Sequence, residues 1–204
     1  MIGYLRDPAA IYRRSFEIIR AEVDFSGLPA DAEEVAIRII HACGMPEIVD
    51  DLRISPGFVI AARSALAAGA PVLVDAEMVR HGIIDKQLNV ICTLNNPQAR
   101  EIGLATGNTR SAAAVELWRP HLAGSIAVIG NAPTALFALL EMIAAGAPKP
   151  AAIAGFPVGF VGAAESKDEL HANPGGIPYA TLLGRRGGSA MAASVINALM
   201  RGAT

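Results

Sequence analysis

The chain has 204 residues, 52% of them hydrophobic and 18% charged, with a net charge of -2. That length and apolar content suit one domain with a full core, exclude disorder, and point to further burial by self-association. Neither the charge balance nor the 5% aromatic content suits nucleic acid, no apolar run approaches a membrane span of ~18 residues, and the opening stretch MIGYLRD lacks the apolar core of a secretion signal, which points to the cytoplasm.

In chain order, Asp7-Pro8 predicts the start of a helix that runs to about Glu22, with Ile11, Phe16, Ile18 and Ile19 as its apolar set. Asp31 opens a second helix ending near Gly44, and Pro56 a third over 57–68, closed by Gly69. Buried strands are expected over 71–75, 89–94, 125–129, 151–154 and 179–183, with a closing helix over 189–200. Continuous apolar strands between helices imply a mostly parallel sheet covered on both faces. The expected fold is α/β: a single doubly wound domain over residues 1–204, its mostly parallel sheet flanked by helices, with an N-terminal helical pair.

Two strand-to-helix turns stand out. The run Ser125–Ile129 leads into Gly130-Asn131-Ala132-Pro133-Thr134, and 151–154 leads into GFPVGFVG at 155–162. In an open parallel sheet ligands bind beyond the carboxyl ends of the strands, where these turns fall, and helix N-termini offer free N–H groups to an anion.

His41, in IIHACG near a helix C-terminus, is the leading candidate for moving a proton near neutral pH. The negative end of the helix should favour its charged form. A capping or core histidine is the plainer alternative. His81, His121 and His171 read as structural or surface residues, and no pair has metal-ligand spacing. Arg13 and Arg14 precede Ser15 on the first helix. Arg13 reads as part of a solvated face. Arg110 follows Gly107-Asn108-Thr109 at a helix start, where its charge is misplaced for stability and so points to an anionic partner. Several arginines beside small residues and apolar turns suit a large ligand with a carboxylate rim.

Other templates fail: no GxGxxG follows the first strand, and neither GxxxxGK[ST] nor GxSxG occurs. Glu165-Ser166-Lys167 resembles a nucleophile–base pair but lacks the SxxK spacing, leaving a helix-cap or surface role as the simpler reading. Cys43 and Cys92 are in no CxxC pattern and read as two buried thiols.

The segments IYRRSFEII (11–19), HACG (41–44), DAEMVRHG (75–82), GNTRSAAA (107–114), GNAPTALFALLEM (130–142), GFPVGFVGAAESK (155–167) and GRRGGSAMAA (184–193) together resemble the precorrin-8X methylmutase family of cobalamin biosynthesis. The resemblance spans nearly the whole chain in order. It implies an isomerase that moves a methyl group from C-11 to C-12 of a metal-free tetrapyrrole to give hydrogenobyrinate, with no redox cofactor and no resident metal. It implies His41 as the acid/base, Ser15 as a substrate contact, and a homodimer with the tetrapyrrole near the subunit interface. Arg14, Arg110, Asn108, Thr109, Asn131 and Ala132 are the further expected contacts to the acetate and propionate arms, the last four through turn N–H groups. A carrier that binds tetrapyrrole without turnover, a cobalt-precorrin-8 methylmutase, and a generic nucleotide- or flavin-binding protein stand as alternatives. The missing glycine fingerprint disfavours the last.

Overall fold

The computed structural model describes residues 2–201. Helix α1 (Pro8–Glu22) begins as Asp7 and Pro8 indicate: the Asp7 carboxylate accepts from the Ala9 and Ala10 N–H groups. The second helix starts slightly later than expected, because a 3-10 turn at Ala30–Ala32 takes up the Asp31 region before α2 (Glu33–Cys43). Gly44 caps α2, and a second 3-10 turn, Pro46–Asp51, leads to β1 (Leu52–Ile54). There follow α3 (Phe58–Ala67), β2 (Val72–Val74), α4 (Glu77–Gly82), β3 (Val90–Cys92), α5 (Pro97–Thr106) and α6 (Arg110–Glu116). The chain closes with β4 (Ile126–Ile129), α7 (Pro133–Ala144), β5 (Ala152–Gly155), α8 (Ala163–Ala172), β6 (Tyr179–Leu182) and α9 (Ser189–Arg201).

The six strands form one sheet in the order β1-β6-β5-β4-β2-β3. All neighbours are parallel except β1, which pairs antiparallel with β6, Leu52 opposite Leu182. Strand residues alternate between two cores, as the two-residue period requires. Val72, Val74, Ile126, Val128, Ala152 and Ala154 pack with α2, α3 and α9 on one face. Leu73, Ala127, Ile129 and Ile153 pack with α6 and α7 on the other. The expected doubly wound sheet and N-terminal helical pair are therefore present.

The antiparallel β1 places the chain just before it in a specific position. Because Leu52 pairs with the last residue of β6, the C-terminus of α2 and the turn after it lie at the carboxyl end of the sheet. Asp75 (after β2), Gly130 (after β4), Phe156 (after β5) and Leu183 (after β6) lie at the same end.

Candidate functional site

On α1, Tyr12, Ser15, Phe16 and Ile19 follow the i, i+3, i+4, i+7 spacing of one helix face. That face meets Arg38 and His41, one turn apart on α2. Ser15 Oγ lies 2.8 Å from His41 Nδ1. The imidazole sits between two aromatic rings, with centroid distances of 5.4 Å to Tyr12 and 5.4 Å edge-on to Phe16. Arg38 is only 6% exposed, and its guanidinium carbon lies 5.6 Å from the Tyr12 ring centroid and 5.3 Å from that of Phe16. Both rings present their faces within cation–π reach of the buried guanidinium.

The electrostatics of His41 run opposite to the sequence expectation. Burial, and after it the Arg38 charge one turn away, hold the imidazole below its ordinary value. Both effects favour the neutral ring. Among the described residues His41 makes one hydrogen bond, through Nδ1, which leaves Nε2 as the nitrogen available to a ligand.

A Ser–His pair invites comparison with nucleophilic hydrolysis. There the ring nitrogen opposite the serine bonds a carboxylate that stabilises the imidazolium formed on proton transfer. Here the nearby charge is Arg38, which destabilises that imidazolium. The arrangement suits an imidazole that takes up a proton at Nε2 and passes it on rather than one that activates Ser15.

The β4–α7 turn is built differently from the expectation. Its N–H groups are not free: Asp75 Oδ1 accepts from Gly130 (2.8 Å), and Oδ2 accepts from Asn131 (3.0 Å) and Ala132 (2.8 Å). Asp75 is 2% exposed, and burial raises its carboxyl more than the three donors lower it. It ties the end of β2 to the start of α7. Gly130 is held close here, since a Cβ at this position would fall 2.6 Å from Val79 Cγ2 and 2.8 Å from Ala192 Cβ. Asn131 can therefore offer a ligand its exposed side chain but not its N–H, and the Ala132 N–H is likewise taken.

The Asn108–Thr109 turn is similarly held by its own side chains. Asn108 Oδ1 accepts from the Thr109 N–H, and Thr109 Oγ1 accepts from the Ala112 N–H and lies 2.8 Å from Thr134 Oγ1. The Thr109–Thr134 contact brings this turn to the N-terminus of α7 and so to the carboxyl end of the sheet. Arg110 is exposed, has no ion pair among the described residues, and lines a cavity of about 320 Å³ with Arg100, Leu104 and Asn108. Arg14 points away from the Ser15–His41 face and pairs with Glu17 at 3.6 Å, both largely exposed. No contact joins Arg14, Arg110 or Asn108 to His41 among the described residues.

Two residues beside the pair, Tyr12 and Arg38, and Asp75 at the β4–α7 turn escaped the sequence reading. The α1 face spacing signals Tyr12, whereas an arginine inside the apolar run VAIRII signals a solvent stripe and here is buried. Ser166 and Lys167 correct the surface reading: both are wholly buried on α8. Cys43 and Cys92 are half-buried free thiols, and burial raises both, Cys92 to about 11. Of the weaker histidines, His81 lies 3.9 Å from Glu77, and His171 Nδ1 is 2.6 Å from the Tyr179 hydroxyl. Among the described residues no cluster of three His, Cys, Asp or Glu side chains could hold a metal ion, and no helix is long and apolar enough to cross a membrane.

Comparison with known proteins agrees with this geometry. Residues 10–202 match the family model described as precorrin-8X methylmutase. The chain is 61% identical over 203 residues to a precorrin-8X methylmutase of Pseudomonas aeruginosa, covering 98% of each chain. It is 38% identical to a cobalt-precorrin-8 methylmutase of Methanothermobacter thermautotrophicus, covering 93% of this chain and 91% of that one. Its fold matches the crystal structure of a precorrin-8x methyl mutase from Thermus thermophilus with a TM-score of 0.81 at 37% identity, over 94% and 96% of the two chains. With one continuous fold and a full-length match, the chain belongs to the precorrin-8X methylmutase family.

Proposed function

We propose that this isomerase of cobalamin biosynthesis moves a methyl group from C-11 to C-12 of precorrin-8X, giving hydrogenobyrinate, with His41 as the proton donor and acceptor. The observation that carries the reading is His41 itself: its Nδ1 is engaged by Ser15, its Nε2 is available, and Arg38 lies one turn away. A methyl shift around a conjugated macrocycle needs no nucleophile. Protonation of the ring system makes it electron-poor and favours rearrangement to the more stable tautomer. A histidine with a lowered pKa is a stronger acid once charged: the neutral ring takes a proton from solvent at Nε2, delivers it to the macrocycle, and recovers it when the rearranged ring system releases it. Tyr12 and Phe16 flank the imidazole and fix its position.

Ser15 enters the mechanism first as the group that fixes the ring of His41. Arg110, Arg14 and the side chains of Asn108, Thr109 and Asn131 are the donors offered to the carboxylate arms. The metal-free substrate is favoured over the cobalt-bearing one because the 61% identical relative is a precorrin-8X methylmutase, whereas the cobalt-precorrin-8 enzyme compared is 38% identical. The protein acts in the cytoplasm as a homodimer, with the tetrapyrrole near the subunit interface. The 52% hydrophobic composition and the exposed Val158, Phe160 and Val161 support self-association.

The test is an absorbance assay of the purified protein with precorrin-8X and, separately, its cobalt complex. Appearance of the orange hydrogenobyrinate spectrum from the metal-free substrate is expected. Turnover of the cobalt form alone would reassign the substrate, and binding of both without conversion would make the protein a carrier.

A further inference from the structure

Lys167, on α8, has no exposed surface, and its ammonium donates to the main-chain carbonyl of Arg186 at 2.5 Å. Burial pushes its pKa down to about 8, against the raising influence of Asp168 and Asp51. Withdrawing a lysine from water for a single carbonyl is unfavourable where an apolar side chain of the same length would fill the space. Packing therefore does not account for it.

The carbonyl it meets belongs to the turn between β6 and α9, which is fastened on every side. The Arg186 guanidinium donates to Glu47 (3.0 Å) and Asp51 (3.1 Å) of the 3-10 turn that follows α2. The Leu183 N–H donates to Asp51 O, the Gly188 N–H to Phe156 O, and the Gly159 N–H to Arg185 O. A Cβ on Gly187 would fall 2.5 Å from the carbonyl oxygens of both Phe156 and Pro157, so the turn is pressed against the β5–α8 loop. What this fastening presents to solvent is Arg185, its guanidinium carbon 5.7 Å from the ring centroid of Phe160, which is 85% exposed. Both lie at the carboxyl end of the sheet, the end that carries His41.

We propose that Lys167 is a positioning residue: its buried ammonium pins the 183–188 turn and so holds Arg185 and Phe160 as a rim, Arg185 for a carboxylate arm of the tetrapyrrole and Phe160 for its apolar face. This rests on the function proposed above. The Ser15–His41 pair is held separately by α1 and α2, so loosening the rim affects binding rather than the proton transfer.

The test compares Lys167→Met, which removes the donor, with Lys167→Gln, which keeps an N–H donor without charge. In Lys167→Met, KM for precorrin-8X rises about tenfold with kcat within about threefold of the parent, the scale of one lost charge-assisted hydrogen bond. Trypsin cuts after Arg185 or Arg186 faster than in the parent, and Lys167→Gln recovers part of both properties. Parent-like KM and cleavage, or a fall in kcat at unchanged KM, would overturn the assignment. If neither variant folds, Arg186→Met decides, since it cuts only the half-exposed pairs to Glu47 and Asp51: a raised KM supports the rim and an unchanged KM overturns it. If the parent itself fails to convert precorrin-8X, the proposed function is what has failed, and the trypsin comparison still tests the pin.

Discussion

The Ser15 hydroxyl lies 2.8 Å from Nδ1 of His41, across two helices and 26 residues of sequence. The bond sets the orientation of the imidazole and leaves Nε2 for the substrate. Ser15→Ala is expected to lower kcat about fivefold, the effect of losing one hydrogen bond worth ~1 kcal/mol, with a smaller effect on affinity for product. Steady-state kinetics and absorbance titration with hydrogenobyrinate separate the two. A loss confined to affinity would make Ser15 a substrate contact instead.

Burial first, and the Arg38 charge second, hold the pKa of His41 below its ordinary value. In Arg38→Met the Coulombic contribution disappears while burial remains, so the pKa of His41 moves upward toward its ordinary value. An NMR titration of the His41 ring in parent and variant measures this directly. The linked stability has a definite sign. A histidine whose folded pKa is depressed contributes stability above its unfolded pKa and loses it as the pH falls through the folded value. The parent should therefore lose more stability than Arg38→Met on acidification below pH ~6.5. An unmoved pKa in the variant would assign the whole shift to burial.

Asp75 is the only acceptor among the described residues for the three N–H groups that open the β4–α7 turn. Asp75→Asn turns one of its oxygens into a donor facing donors. Unfolding in urea should show a loss of about 2–3 kcal/mol, the scale of buried polar groups left unsatisfied. A loss below ~0.5 kcal/mol would mean that the turn holds its shape without the carboxylate.

Gly130 packs against Val79 and Ala192 with no room for a methyl group. Gly130→Ala should destabilise the protein by about 1–3 kcal/mol through overpacking, seen as a lowered thermal midpoint. A midpoint equal to the parent's would mean that α4 and α9 move apart readily here.

Much of the fold was legible because its signals are local. Asp7-Pro8 starts α1, Gly44 ends α2, and the apolar strands between helices imply the parallel sheet. Strand β1 was not legible: three residues carry no period, and its antiparallel pairing with β6 depends on a partner 130 residues away. In the candidate site, His41 and Ser15 were legible as residues, but their contact was not, since it arises from the packing of α1 on α2. The expectation of free turn N–H groups failed because Asp75, the first residue of the DAEMVRHG segment and the one that follows β2, reaches to the end of the neighbouring β4 to take them. Lys167 was misread, and Arg38 passed over, for one reason: a charged residue in a helix signals solvent, and only tertiary packing reveals that it is buried.

The most direct test of the account is turnover of precorrin-8X by His41→Ala beside the parent, with hydrogenobyrinate binding measured on the same samples. The account predicts that the variant binds product with near-parental affinity and forms it at least ~100-fold more slowly, the usual contribution of a general acid/base. Turnover by His41→Ala at the parental rate would contradict it and remove the imidazole from the proton transfer.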